Sequence, residues 1–298
     1  MKRDAFTMVE IVMVIVIFGI ISTIGANIIA KMYANYMQSR TVNYLQSQSE
    51  IALEQIAKRL QYRIKDSTVA RKTTTNTIRR LSSTEVDDTF SVIEWIGYSN
   101  EAMLTTGAPG WSGFIDLDSA DTYSPYLVTP GSDLTSAVNI MKALSNNEVN
   151  LTDGGEAALI FKDKKGNEPE VGYGWDGLGG TADYMLKVKR KDGTTFEITG
   201  SSPGYIHEHY YLAHSAYALV PIKKSSDVDF DLELRYNYQP WLGENYEDNA
   251  KRALLATNVS LFRAKQVGNT IRLKLCLHDN KLSGFENYVA ACKEEVVL

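Results

Sequence analysis

The chain has 298 residues, a formal net charge of −5 and 44% hydrophobic residues, enough apolar material for one large domain or two modest ones. That balance excludes a disordered chain. Its lysines and arginines are scattered, which argues against a nucleic-acid partner, because phosphate binding normally shows as a concentrated basic face.

The first element is an apolar helix. Residues 5–21 read AFTMVEIVMVIVIFGII, and Ile11 to Ala30 are twenty consecutive uncharged residues. At about 1.5 Å per residue they span roughly 30 Å, the thickness of a bilayer core. Glu10 stands at the head of this run. A charge at the centre of a membrane helix costs about 2.5 to 3.5 kcal/mol on insertion scales, so the carboxylate needs a partner. Lys2 and Arg3 precede the span and Lys31 and Arg40 follow it, which mildly favours a cytoplasmic amino terminus and an external carboxyl-terminal part.

No proline occurs before Pro109, so the apolar run can continue unbroken into a polar helix ending near Lys65. In this second half Leu53, Ile56, Ala57, Leu60 and Ile64 recur at spacings of three and four, while Glu50, Glu54, Lys58, Arg59 and Arg63 take other faces. The pattern predicts that 31–65 docks on the chain's own sheet. Residues 66–88 are rich in Thr, Ser, Arg and Asp with little periodicity, which predicts a linker or exposed loop.

From Thr89 onward the strand pattern dominates. In DVDFDLELRYNY, 227–238, apolar and polar residues alternate strictly, which predicts a half-buried strand. Residues 183–199 predict a hairpin, with Tyr184, Leu186 and Val188 on one face, a turn at Asp192-Gly193, and Phe196 and Ile198 returning. In TIRLKLCL, 270–277, Ile271, Leu273, Leu275 and Leu277 share one face and Cys276 takes the other with Arg272 and Lys274. A segment carrying Cys292 could then cross that outer face. In an oxidising compartment a Cys276–Cys292 disulfide closing about 15 residues stabilises by about 3 kcal/mol, and two independent thiols are the alternative. Loops rich in Gly and Pro at 105–113, 129–133 and 172–183 suggest a sheet enlarged by insertions. The expected class is α+β, a long helix whose second half packs on an antiparallel sheet, with 66–298 as one β-rich globular domain.

A short basic leader, MKRDA, then FTMVE and an uninterrupted apolar span resembles the processing site of type IV pilins and of the pseudopilins of type II secretion. Phe6, Thr7 and Glu10 match the family pattern; Met8 replaces its leucine, and Ala5 replaces the glycine before the cut. The resemblance implies that a prepilin peptidase removes the leader, residues 1–5, between Ala5 and Phe6 on the cytoplasmic face and methylates Phe6. It further implies that Glu10 pairs with the amino terminus of a neighbouring subunit as helices assemble. Residues 6–30 would first span the inner membrane, with the carboxyl-terminal domain periplasmic, and later pack in a filament core. The implied partners are other pilins or pseudopilins and the inner-membrane assembly platform. The overall length and residues 254–277 look like large minor pilins or J-type (W-type in pili) pseudopilins, which stand at or near a filament tip and help start assembly without catalysing a reaction.

Other readings compete. An ordinary signal anchor, or a secretory signal peptide removed near Gly25-Ala26-Asn27, would use the same apolar run. A membrane-anchored periplasmic binding or adhesion module would act through the Tyr- and Trp-bearing loops around Trp111, Trp175 and Trp241. His207, Glu208, His209 and His214 could suggest zinc but lack the helical HExxH spacing. No cofactor is required; Asp116, Asp118 and Asp121, in one loop, are the candidate calcium ligands ahead of Asp227, Asp229 and Asp231, with a solvated loop as the alternative. Lys187, Lys189, Arg190 and Lys191 read as the exposed face of a hairpin. No Ser-His-Asp, Walker or dinucleotide pattern occurs in its required context, so no enzyme is expected.

Overall fold

The computed structural model describes residues 7–152, 154–162, 168–223, 229–279 and 289–298. The first element, α1, runs without interruption from Met8–Gln61, 54 residues and about 80 Å. Its surroundings change midway. From Met8 to Ile29 every large apolar side chain is exposed, and this half is long and apolar enough to cross a membrane. From Leu45 onward one stripe is buried: Leu45, Ser49, Ala52, Leu53, Ile56 and Leu60. Docking therefore begins fourteen residues later than expected at Lys31, and Tyr33, Tyr36 and Tyr44 stand exposed in the interval.

The surface that receives this stripe is an eight-stranded antiparallel sheet. It is built from β1 (Val69–Lys72), β2 (Thr77–Arg80), β3 (Val92–Gly97), β9 (Ser215–Lys223), β10 (Phe230–Tyr238), β11 (Lys251–Val267), β12 (Thr270–His278) and β13 (Ala290–Val297). Their order is β13-β12-β11-β10-β9-β3-β1-β2. On β12 the alternation works as expected: Ile271, Leu273, Leu275 and Leu277 are buried in one core with Leu53, Ile56 and Leu60 of the helix. Burying such side chains stabilises by about 1.5 to 3 kcal/mol each, so this seam holds the helix to the sheet.

A second antiparallel sheet occupies the interval between β3 and β9. Its strands are β4 (Tyr126–Val128), β5 (Ala157–Phe161), β6 (Leu186–Arg190), β7 (Thr195–Ile198) and β8 (Tyr210–Ala213), in the order β4-β7-β6-β5-β8. The inserted segments thus form a layer of their own rather than enlarging one sheet. On β5, Ala158 and Ile160 pack toward the first sheet, where they join Val92, Ile96, Ala216 and Ala218. Ala157, Leu159 and Phe161 turn the other way, toward a helix at Leu134–Leu144. Being covered on both faces, β5 is buried at every position, which is why it reads as a continuous apolar run, AALIF. The predicted hairpin is present as β6 and β7, with Val188 opposite Ile198.

Three further expectations are corrected. Residues 69–80, inside the expected linker, form the β1–β2 hairpin at the edge of the first sheet. Its charges hid it: Arg71 is buried because its Nε meets Glu94 at 2.6 Å and its Nη2 donates to the Trp175 carbonyl at 2.8 Å. On β10 the polar face is only partly solvated, since Arg235 and Asn237 are buried; Arg235 bonds Glu233 and the Tyr246 carbonyl, and Asn237 bonds Glu148 and the Ser145 carbonyl. Residues 227 and 228 of that pattern lie outside the described residues. Finally, the segment carrying Cys292 does not cross the outer face of β12. It is β13, paired with β12 as the edge strand, with Cys276 directly opposite Cys292 and the two joined by a disulfide.

Arg63 closes the end of the helix. Just past α1, its Nη1 donates to the Leu60 carbonyl at 2.7 Å and to Leu298 at 3.3 Å, while Nη2 donates to Asn269 at 2.6 Å. Its backbone pairs with Gly97, and the flanking Ile64 and Tyr62 bond Ile96 and Tyr98. One buried guanidinium therefore joins the helix terminus, the β11–β12 turn and the residue that follows β13, and places its positive charge at the carboxyl-terminal end of the helix. Arg63→Met should lower the stability of the detergent-solubilised chain by about 2 to 4 kcal/mol, read from its urea midpoint, and Arg63→Lys should recover little, because an ammonium cannot span three carbonyls in that fork.

Candidate functional site

The amino-terminal motif opens α1. Thr7 is the N-cap, in extended conformation, and Glu10 is the third helical residue. A Glu10 carboxylate oxygen, Oε2, accepts the Thr7 backbone N–H and hydroxyl, both at 3.4 Å, in a capping box. The sequence signal that could have shown this is Thr-x-x-Glu before an apolar run, the pattern of a capping box. The acid is thus tied loosely to its own chain, and an anion near a helix amino terminus is also favoured by the helix dipole. Its bonds are long and it remains exposed, so its surface is open to a cation from outside. Ala5, Phe6 and the whole leader lie outside the described residues.

The candidate metal ligands are not brought together. Asp116 Oδ1 accepts the backbone N–H groups of Asp118 at 3.1 Å and Ser119 at 3.2 Å, shaping the loop around itself. Asp229 faces His278 Nδ1 at 2.7 Å. Among the described residues no group of three or more His, Cys, Asp or Glu is arranged to hold a metal ion. His207 lies against the Phe161 ring and His209 against Phe114.

The three tryptophans are not presented on the surface of their loops. Trp111, Trp175 and Trp241 are all buried, and their indole N–H groups donate to the carbonyls of Ser99 (2.8 Å), Ser67 (3.0 Å) and Glu156 (3.4 Å). Each ring fastens an inserted loop to a neighbouring layer. Beneath Trp175 the Glu94 carboxylate meets Arg71 and accepts the Tyr238 hydroxyl at 3.0 Å; burial pushes Glu94 above the usual carboxylate range while both partners pull it back. The basic ladder is largely engaged: Lys189 pairs with Glu197 at 3.2 Å, Arg190 bonds Thr135, and Lys191 lies over the Tyr126 ring.

The fold has a pilin-like architecture, a long amino-terminal apolar helix whose second half packs on an antiparallel sheet, with a disulfide at the carboxyl-terminal edge. Comparison with protein-family models, curated proteins and solved structures gives no match.

His214 follows β8 in the interior, its Nδ1 2.5 Å from Ser99 Oγ. Burial pushes its pKa from 6.5 down to about 4, so the folded chain holds the ring neutral where the unfolded chain protonates it. The stabilisation is complete above pH 6.5 and is lost as pH falls toward 4. Relative to His214→Gln, the parent chain should lose about 3 kcal/mol more stability between neutral pH and the lower of those values, measured by urea unfolding at each pH.

Proposed function

We propose that this chain is a minor pilin or pseudopilin, a structural subunit of a type IV pilus or type II secretion pseudopilus that takes its place at or near the tip and aids initiation. The observation that carries this reading is α1 itself. Its first half is apolar on all sides and covered by none of the described residues, and its second half is fixed to the sheet, so one rigid rod joins an oily stem to a folded head. Such a stem can lie in lipid or among the stems of other subunits, which is the choice an assembling subunit must make. The two-layered head favours a terminal position, where bulk is tolerated.

In this proposal a prepilin peptidase cuts between Ala5 and Phe6, the span holds the subunit in the inner membrane with its head in the periplasm, and Glu10 meets the new cationic terminus of a neighbour. The capping box holds the carboxylate at the mouth of the helix until then. No catalytic role is proposed. The burial of all three indoles supports this reading over an anchored binding module that would present them.

Mass spectrometry of the mature chain should find methylated Phe6 as its first residue; an intact Met1 in the functional protein would refute the proposal. Glu10→Ala should leave membrane insertion intact and cost about 3 to 5 kcal/mol at the subunit contact, seen as loss of the protein from sheared filaments or of dependent secretion.

A further inference from the structure

The β11–β12 ladder carries an arrangement that its own chain does not explain. Arg263 lies opposite Lys274 and Lys265 opposite Arg272, two like-charged cross-strand pairs in succession. Directly opposed like charges destabilise a sheet, so such a pattern calls for anions. Two of the four are matched: Arg263 pairs with Asp88, and Lys274 with Glu294 at 2.9 Å. Lys265 and Arg272 make no ion pair among the described residues; Arg272 exerts only a longer-range pull on Glu294, which Lys274 already holds. These cations border a groove of about 810 Å³ between the ladder and the 81–91 segment. Its other lining includes the partly buried rings of Phe90, Phe230 and Phe262, and Lys223 adds a further cation. Asp87, Asp88 and Glu294 also line the groove, so five cations there face three carboxylates and the rim keeps a positive excess, which fits an acidic segment that also carries apolar anchors.

The chain displays such a segment on its second layer. Residues 116–123 read DLDSADTY, with Asp118 and Asp121 exposed and in no ion pair among the described residues, and with Leu117 and Tyr123 42% and 55% exposed. The loop is held in shape by the Asp116 turn and by hydrogen bonds to β4, so it is presented as a formed surface. We propose that the 116–123 loop of one copy docks in the basic groove of a second copy, its carboxylates meeting Lys265 and Arg272 and its Leu117 and Tyr123 covering the phenylalanine floor. The two surfaces are different, so the contact is head-to-tail and leaves one groove and one loop open for further copies. It needs only the head and not the amino-terminal processing, so it can fail while the filament proposal stands, and the reverse.

Charge reversal tests it on the full-length chain in detergent micelles, where the stem is common to every variant. Self-association measured by sedimentation should weaken as salt rises. It should weaken about tenfold or more in Lys265→Glu/Arg272→Glu and again in Asp118→Lys/Asp121→Lys, and return when all four changes share one chain. Recovery in the fourfold variant separates a lost contact from a damaged fold. A photoreactive phenylalanine derivative at Leu117 should cross-link to residues 81–91 or 260–274 of another copy. Association indifferent to either reversal, a fourfold variant as weak as its parents, or cross-links found elsewhere would each overturn the pairing.

Discussion

One uninterrupted helix carries two unlike surfaces, apolar all round in its first half and apolar along one stripe in its second, and the packing of the rest of the molecule is built around that contrast. Over Met8 to Ile29 the helix offers apolar side chains on all sides, so it gains nothing by docking on a single surface of its own chain. Over Leu45 to Leu60 it offers one apolar stripe, and there it is clasped. A break between the halves would let the head swing freely. With no proline and no interrupting loop, the orientation of the head is set by that of the stem.

The clasp depends on the far end of the sequence. Leu53, Ile56 and Leu60 share a core with Leu273, Leu275 and Val297, while Glu50 reaches Lys293 at 2.6 Å across the rim. Arg63 completes it from inside. Exposed ion pairs of the Glu50–Lys293 kind contribute little, whereas a buried guanidinium that reaches three backbone oxygens loses three contacts at once if removed. The disulfide holds β13 in register against β12, and that register is what presents Val297 to the helix.

Much of this was legible in the sequence, for identifiable reasons. Period 3.6 in Leu53–Leu60 and period 2 in Ile271–Leu277 report one buried face each, so both elements and their mutual packing could be inferred. The β1–β2 hairpin was not legible because Arg71 looks like a solvent residue until Glu94, 23 positions later, is brought beside it. Of the second sheet only the β6–β7 hairpin was legible, and strand patterns do not say to which sheet a strand belongs. Cys276 and Cys292 were paired correctly and placed wrongly, since spacing alone does not separate a crossing segment from an added edge strand. At the amino terminus, Glu10 was read for its meaning between subunits, and its local role beside Thr7 passed unnoticed.

The wide separation of Glu50 and Lys293 has a consequence for biogenesis. The groove that receives the helix is finished by β12 and β13, late in the sequence, so a chain synthesised stem-first cannot complete its head until those strands have been made. Until then Leu53, Ile56 and Leu60 lack the β12 and β13 side of their cover, and the nascent protein must traverse a vulnerable interval before its two ends meet.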